Sequence, residues 1–132
     1  MALKITLKPN EKVILGGAVL CNGPGKTQFV IENTVPILRE KDILQPCEAD
    51  SPARRIYFAV QLMYVDEPQL EKHHKLYWQL VRDFIDAAPS SLRIIDTINE
   101  WIFRGNYYQA LKESKQLIDF EQEVVERATQ CY

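Results

Sequence analysis

The spacing of apolar residues changes once along this 132-residue chain, at Asp66-Glu67-Pro68, and that change limits the folds open to it. Before it, apolar residues alternate with polar ones or come in short runs between turn signals. After it, they recur at three- and four-residue steps. A period of two marks a strand face and a period near 3.6 a helix face. Strands therefore precede helices, the order of an α+β fold rather than an alternating α/β one. The expected architecture is an N-terminal antiparallel β meander or partial barrel, residues 1–66, followed by a three-helix antiparallel packet, residues 67–132, with one core shared between them.

Within the first part, LKITLK sets Leu3, Ile5 and Leu7 on one face and Lys4, Thr6 and Lys8 on the other. EKVIL and AVLCN flank Gly16-Gly17, a two-residue signal for a tight hairpin. NGPGK, residues 22–26, is a second turn before TQFVIEN. A short strand near residues 36–39 belongs at an edge, because Pro36 has no amide hydrogen to give a neighbour. The run IYFAVQLMYV, residues 56–65, is apolar on both alternating faces. At period two it reads as a central strand covered on both sides, with Arg54 and Arg55 surfacing at its mouth.

In the second part, Pro68 suits a first helical position with Asp66 as cap. Leu70, Tyr77, Leu80, Val81, Phe84, Ile85 and Ala88 form the first stripe. Pro89-Ser90-Ser91 interrupts, and a second helix carries Leu92, Ile95, Ile98 and Ile102 before Gly105, a C-terminal glycine. Asn106 caps a third helix, striped by Tyr107, Leu111, Ser114, Leu117, Ile118, Val124 and Val125. Breaks of two or three residues predict antiparallel neighbours.

Composition narrows the function. Hydrophobic content of 46% with 26% charge is that of a globular chain. The start lacks the apolar segment of a secretory signal, and no apolar stretch is long enough to cross a bilayer. A cytoplasmic protein without membrane contact is expected. Cys21, Cys47 and Cys131 form no CxxC and read as free thiols in a reducing compartment. His73 and His74 are adjacent, so on a helix they diverge by roughly 100° and cannot share a metal; both read as surface residues. Gly16-Gly17 and GPGK lack the phosphate-loop pattern and the strand-to-helix context that it needs. Ser51, Ser90, Ser91 and Ser114 sit in cap-like or helical contexts without a nucleophile elbow. No catalytic constellation, metal site or cofactor site emerges, and the chain reads as a non-enzyme.

Charge is uneven. Residues 1–60 hold eight Lys/Arg against six Asp/Glu, and residues 61–132 eight against twelve. In the first part Arg39, Lys41, Arg54 and Arg55 stand near Tyr57 in sequence. Guanidinium forks match phosphates, and arginine or tyrosine planes stack on unpaired bases. These five are the candidate RNA-binding residues. The plainer reading has Arg39-Glu40-Lys41-Asp42 compensating itself and Arg54-Arg55 paired with Glu48 or Asp50, and residue types alone favour it.

LKITLKPNEKVILGGAVLCNG, IENTVPILREKDIL, QPCEADSPARRIYFAVQLMY and NYYQALKESKQLIDFE, taken together, resemble the FlbT family of flagellar regulators. The likeness spans nearly the whole chain, more loosely over residues 69–104, and is most specific at REKDI and PARRIYF. It implies a post-transcriptional repressor of flagellum biogenesis that associates with the 5′ untranslated region of flagellin mRNA and promotes its degradation. It supplies no catalytic residues and no RNA-contact map, so the five residues above rest on chemistry alone. A second class of function stays open, a protein-binding chaperone or adaptor for flagellin or another flagellar assembly protein, favoured by the anionic helical half. Strand edges left by a small meander also leave a homo-oligomer open.

Overall fold

A computed structural model describes residues 2–130 of the chain, with side chains up to Ala128; Cys131 lies outside the described residues. The chain divides between Ile43 and Leu44 into two compact units, upstream of the boundary expected at the change of period.

The first unit is built from five short strands, β1 (Leu3–Leu7), β2 (Lys12–Leu15), β3 (Ala18–Cys21), β4 (Thr27–Ile31) and β5 (Ile37–Arg39). All pair antiparallel, β1 with β4 in one sheet and β3-β2-β5 in another. Leu15 faces Ala18 across the β2–β3 ladder, so Gly16-Gly17 is the predicted two-residue turn. Gly16 has a φ of 61°, a conformation that strains residues with a Cβ. The alternation in LKITL places Ile5 and Leu7 in a core with Val13, around which Leu15, Phe29, Ile31 and Ile37 pack. β5 lies at an edge, as Pro36 requires.

The second unit is helical: α1 (Pro52–Val65), α2 (Leu70–Ala87), α3 (Leu92–Phe103) and α4 (Tyr107–Gln130). α1 packs on α2 and α4, and α3 packs on α4. The last three are the helices read from the sequence. Ile95, Ile98 and Ile102 of α3 and Leu111, Ser114 and Leu117 of α4 are buried as their stripes predict. α3 ends as a Schellman motif: Gly105, with φ 74°, donates to the Ile102 carbonyl, and Asn106 donates to that of Trp101. The Asn106 side chain then caps α4, accepting from the Gln109 N–H at 3.2 Å.

Three expectations fail here. Residues 56–65 are not a strand; they are most of α1. The buried positions Ala53, Ile56, Tyr57, Ala59, Val60, Gln61 and Met63 wrap much of the helix. A helix covered by neighbours on two sides is apolar on alternate residues as well, which is why period two looked satisfied. The start signal lay just upstream: the Ser51 hydroxyl accepts from the Arg54 N–H at 3.2 Å, and Pro52 takes the first turn. His73 is likewise not a surface residue. It is buried, at helical spacing before Tyr77, and its Nε2 lies 2.8 Å from Oδ2 of Asp66. Asp66 therefore holds His73 and makes no side-chain cap for the turn that follows it.

Candidate nucleic-acid interface

The candidate site on the first unit begins with two turns tied by one side chain. Asn22 Nδ2 donates to the Lys8 carbonyl at 2.7 Å and the Gly25 carbonyl at 2.9 Å. Asn22 Oδ1 accepts from Thr27 Oγ1 at 2.7 Å. Lys8, after β1, and Lys26, before β4, thus sit on turns that share a polar anchor. Asn10 supports the first turn from the left-handed region, φ 62°, and donates its N–H to the Gly23 carbonyl at 2.9 Å; asparagine tolerates that conformation.

Arg39 closes β5 beside them. Its Nη2 donates to the Thr6 carbonyl at 2.7 Å and to Glu11 Oε2 at 3.2 Å. The other oxygen of Glu11 accepts from the Lys8 N–H at 2.9 Å. The Glu11 pKa is lowered, first by that backbone bond and then by the Arg39 guanidinium and the Lys8 charge, against a smaller rise from desolvation than the backbone bond offsets. Arg39 is therefore a strut with one partly exposed face.

These residues line an open cleft of about 860 Å³ formed by Thr6, Lys8, Pro9, Glu11, Lys26, Arg39, Glu40 and Lys41. It holds four cations and two carboxylates, and Glu11 is already matched by Arg39. Lys8, Lys26 and Lys41 make no ion pair among the described residues. Three unengaged ammonium groups against the single carboxylate of Glu40 leave a positive concavity. Ammonium groups act on phosphates as point charges, without base selectivity.

The sequence-derived residues separate accordingly. Arg39 and Lys41 are brought together with Lys8 and Lys26. Arg54, Arg55 and Tyr57 lie in the second unit, on the first turns of α1. Arg54 pairs with Asp50 at 3.1 Å, the plainer reading for that residue, while Arg55 is exposed and makes no side-chain hydrogen bond or ion pair among the described residues. Tyr57 is 3% exposed, so its ring cannot stack on a base, and that assignment is withdrawn. The helical phase of α1 turns it inward. Lys26 was missed because its signal is a turn contact between segments fourteen or more residues apart, which no local pattern displays. Elsewhere, no group of three or more His, Cys, Asp or Glu among the described residues could hold a metal ion. No helix among the described residues is long and apolar enough to cross a membrane.

Comparison with known proteins gives the family. A probable flagellum biosynthesis repressor of Bradyrhizobium diazoefficiens is 46% identical over 125 residues, covering 94% of this chain and 85% of the relative. A probable flagellum biosynthesis repressor of Rhodopseudomonas palustris is 39% identical over 127 residues, 96% of this chain and 100% of the relative. The flagellum biosynthesis repressor of Caulobacter vibrioides is 39% identical over 125 residues, 93% and 89% respectively. No solved structure matches. A family profile described as Flagellar protein FlbT matches residues 3–125, and the chain belongs to that family.

Proposed function

We propose that this chain is a cytoplasmic, non-enzymatic repressor of flagellum biogenesis. It binds the 5′ leader of flagellin mRNA through the positive cleft of its first unit and promotes degradation of that message by a separate nuclease. The relatives' names support a regulatory role in flagellum synthesis. The observation that carries the RNA reading is the cleft, where Lys8, Lys26 and Lys41 stand unpaired around an Arg39 fixed by Thr6 and Glu11. An open groove lined with ammonium groups follows a single-stranded backbone without demanding a base sequence.

The test is the salt dependence of binding between purified protein and labelled leader RNA. About four phosphate contacts give a slope of log affinity against log salt near −3 for a single strand. Lys26→Ala with Lys41→Ala removes two contacts and should bring the slope to about −1.5. Arg39 is left in place because its side chain supports β1. Unchanged affinity and slope in the lysine variant would refute the cleft as the contact. A slope that falls instead with Arg54→Ala and Arg55→Ala would move the contact to the first turn of α1.

A further inference from the structure

The second unit carries a different concavity. α2 and α4 both pack on α1, and their later halves meet through the rings of Phe84 and Phe120, 6.4 Å apart. Beside this contact lies an open groove of about 320 Å³ whose apolar lining includes Leu80, Phe84 and Ala87 of α2 with Phe120, Val124 and Val125 of α4. Leu80, Phe84 and Ala87 follow one face of α2 at steps of four and three; Phe120 and Val124 follow one face of α4. Two such ridges with a trough between them are what a third helix packs into. Val124 and Val125 are 44% and 58% exposed, although they continue an α4 stripe that is buried at Leu111, Ser114 and Leu117. Exposed apolar residues contiguous with an apolar groove mark a contact surface. The walls are helices, whose interior backbone groups are already bonded, so an extended segment has no ladder to join.

Charge selects the occupant. Asp83, in the lining, makes no ion pair or hydrogen bond among the described residues. Glu121 is the second carboxylate there, accepting from the Ala53 N–H at 2.9 Å, and Arg55 is the one cation of the lining among the described residues. Residues 44–132 hold ten Lys/Arg against fourteen Asp/Glu, a net charge of −4. A second copy of this unit would set acid against acid. We propose that the groove seats an amphipathic helix of another protein, its apolar stripe between α2 and α4 and its Lys/Arg flank against Asp83 and Glu121.

The proposal stands apart from the RNA reading and is tested without RNA. The probe is a labelled model peptide of Leu, Ala and Lys with leucines at i, i+3, i+4 and i+7, titrated with the full chain by fluorescence anisotropy. A scrambled peptide of the same composition is the control. The patterned peptide should bind saturably, and the scrambled one at least tenfold more weakly. Asp83→Lys, an exposed change that the helix tolerates, should weaken binding roughly fivefold, the scale of a partly exposed ion pair, and a Glu-for-Lys peptide should recover it. Equal binding of patterned and scrambled peptides, no binding, or indifference to Asp83→Lys would overturn the proposal. So would a dimer seen by sedimentation that Val124→Asp dissociates, since the groove would then be filled by a second copy. Circular dichroism establishes that each variant keeps its helices.

Discussion

The two units reach order by different routes. The helical unit has an interior of long side chains: Ile56, Val60, Met63, Tyr77, Ile95, Ile98, Leu111 and Leu117 are all at most 1% exposed. The β unit has fewer, with Val13 and Leu38 the members of comparable burial. Its edge strand β3 is exposed throughout, and its turns are tied by polar atoms, Asn22 to Lys8 and Gly25, Glu11 to Lys8 and Arg39. A small sheet with little apolar area to bury depends more on turn geometry and hydrogen bonds than a helical packet does. The sign of charge follows the same division. Residues 1–43 hold six Lys/Arg against four Asp/Glu, while residues 44–132 are net acidic. The turns that organise the β unit also carry Lys8 and Lys26 of the cleft, so there the fold and the proposed RNA contact draw on the same few residues.

The largest expected effect tests the helical side. Ile56 is fully buried in α1, and Ile56→Ala removes three carbons from a packed interior, a loss of roughly 2–5 kcal/mol. Denaturant unfolding followed by far-UV circular dichroism measures it. A loss below about 1 kcal/mol would mean that residue 56 does not face a packed core and that the two units are less different than their burial indicates.

Ile56 also shows where the sequence was legible. The hairpin at Gly16-Gly17, the edge strand after Pro36, the α3 stripe and the Gly105–Asn106 junction were readable because each signal is local: a turn residue, a cap, a period. Residues 56–65 misled because a helix enclosed by two neighbours loses its polar stripe, and a short apolar run then fits either period. Weight on Ser51-Pro52 as a helix start would have decided it, and with it the inward direction of Tyr57. The divergence of His73 and His74 excludes a shared metal but says nothing of burial; helical phase puts His73 on the buried Tyr77 face of α2, where Asp66 meets it. Of the candidate site, Arg39 and Lys41 are legible from residue type. Their meeting with Lys8 and Lys26 depends on how β1 and β5 are brought together, information that no single segment carries.

A smaller effect belongs to the β unit. Gly16 needs its positive φ, and an added Cβ would stand 3.2 Å from Val35 Cγ2. Gly16→Ala should therefore cost about 1–2 kcal/mol, mostly from the left-handed backbone. The same substitution at Gly23, whose surroundings are open and whose φ is not in that region, should cost much less. Thermal melts of the two variants compare them directly. Equal midpoints would show that the β2–β3 turn does not govern the unit, removing the contrast drawn between turn-dependent and core-dependent order.

The smallest effect separates the two uses of charge in the cleft. Glu11 has a lowered pKa because it is held by the Lys8 N–H and faces Arg39. A carboxylate whose folded pKa is depressed adds stability that is present above the ordinary value of 4.5 and is lost as pH falls through the depressed one. Glu11→Gln keeps an acceptor for the Lys8 N–H but carries no charge. Its stability should lie slightly below that of the parent at neutral pH, and the two should converge as the medium turns acidic. Parallel stability curves down to acid would show that the charge of Glu11 does not hold the turn. The same change leaves Arg39 without its counter-ion and adds one positive charge to the cleft. RNA affinity should rise, because Arg39 no longer divides its charge between Glu11 and phosphate. A substitution that loosens the fold and tightens the ligand is the signature of a charge shared between structure and binding; loss of affinity instead would assign Glu11 and Arg39 to structure alone and leave only the three lysines to meet the RNA.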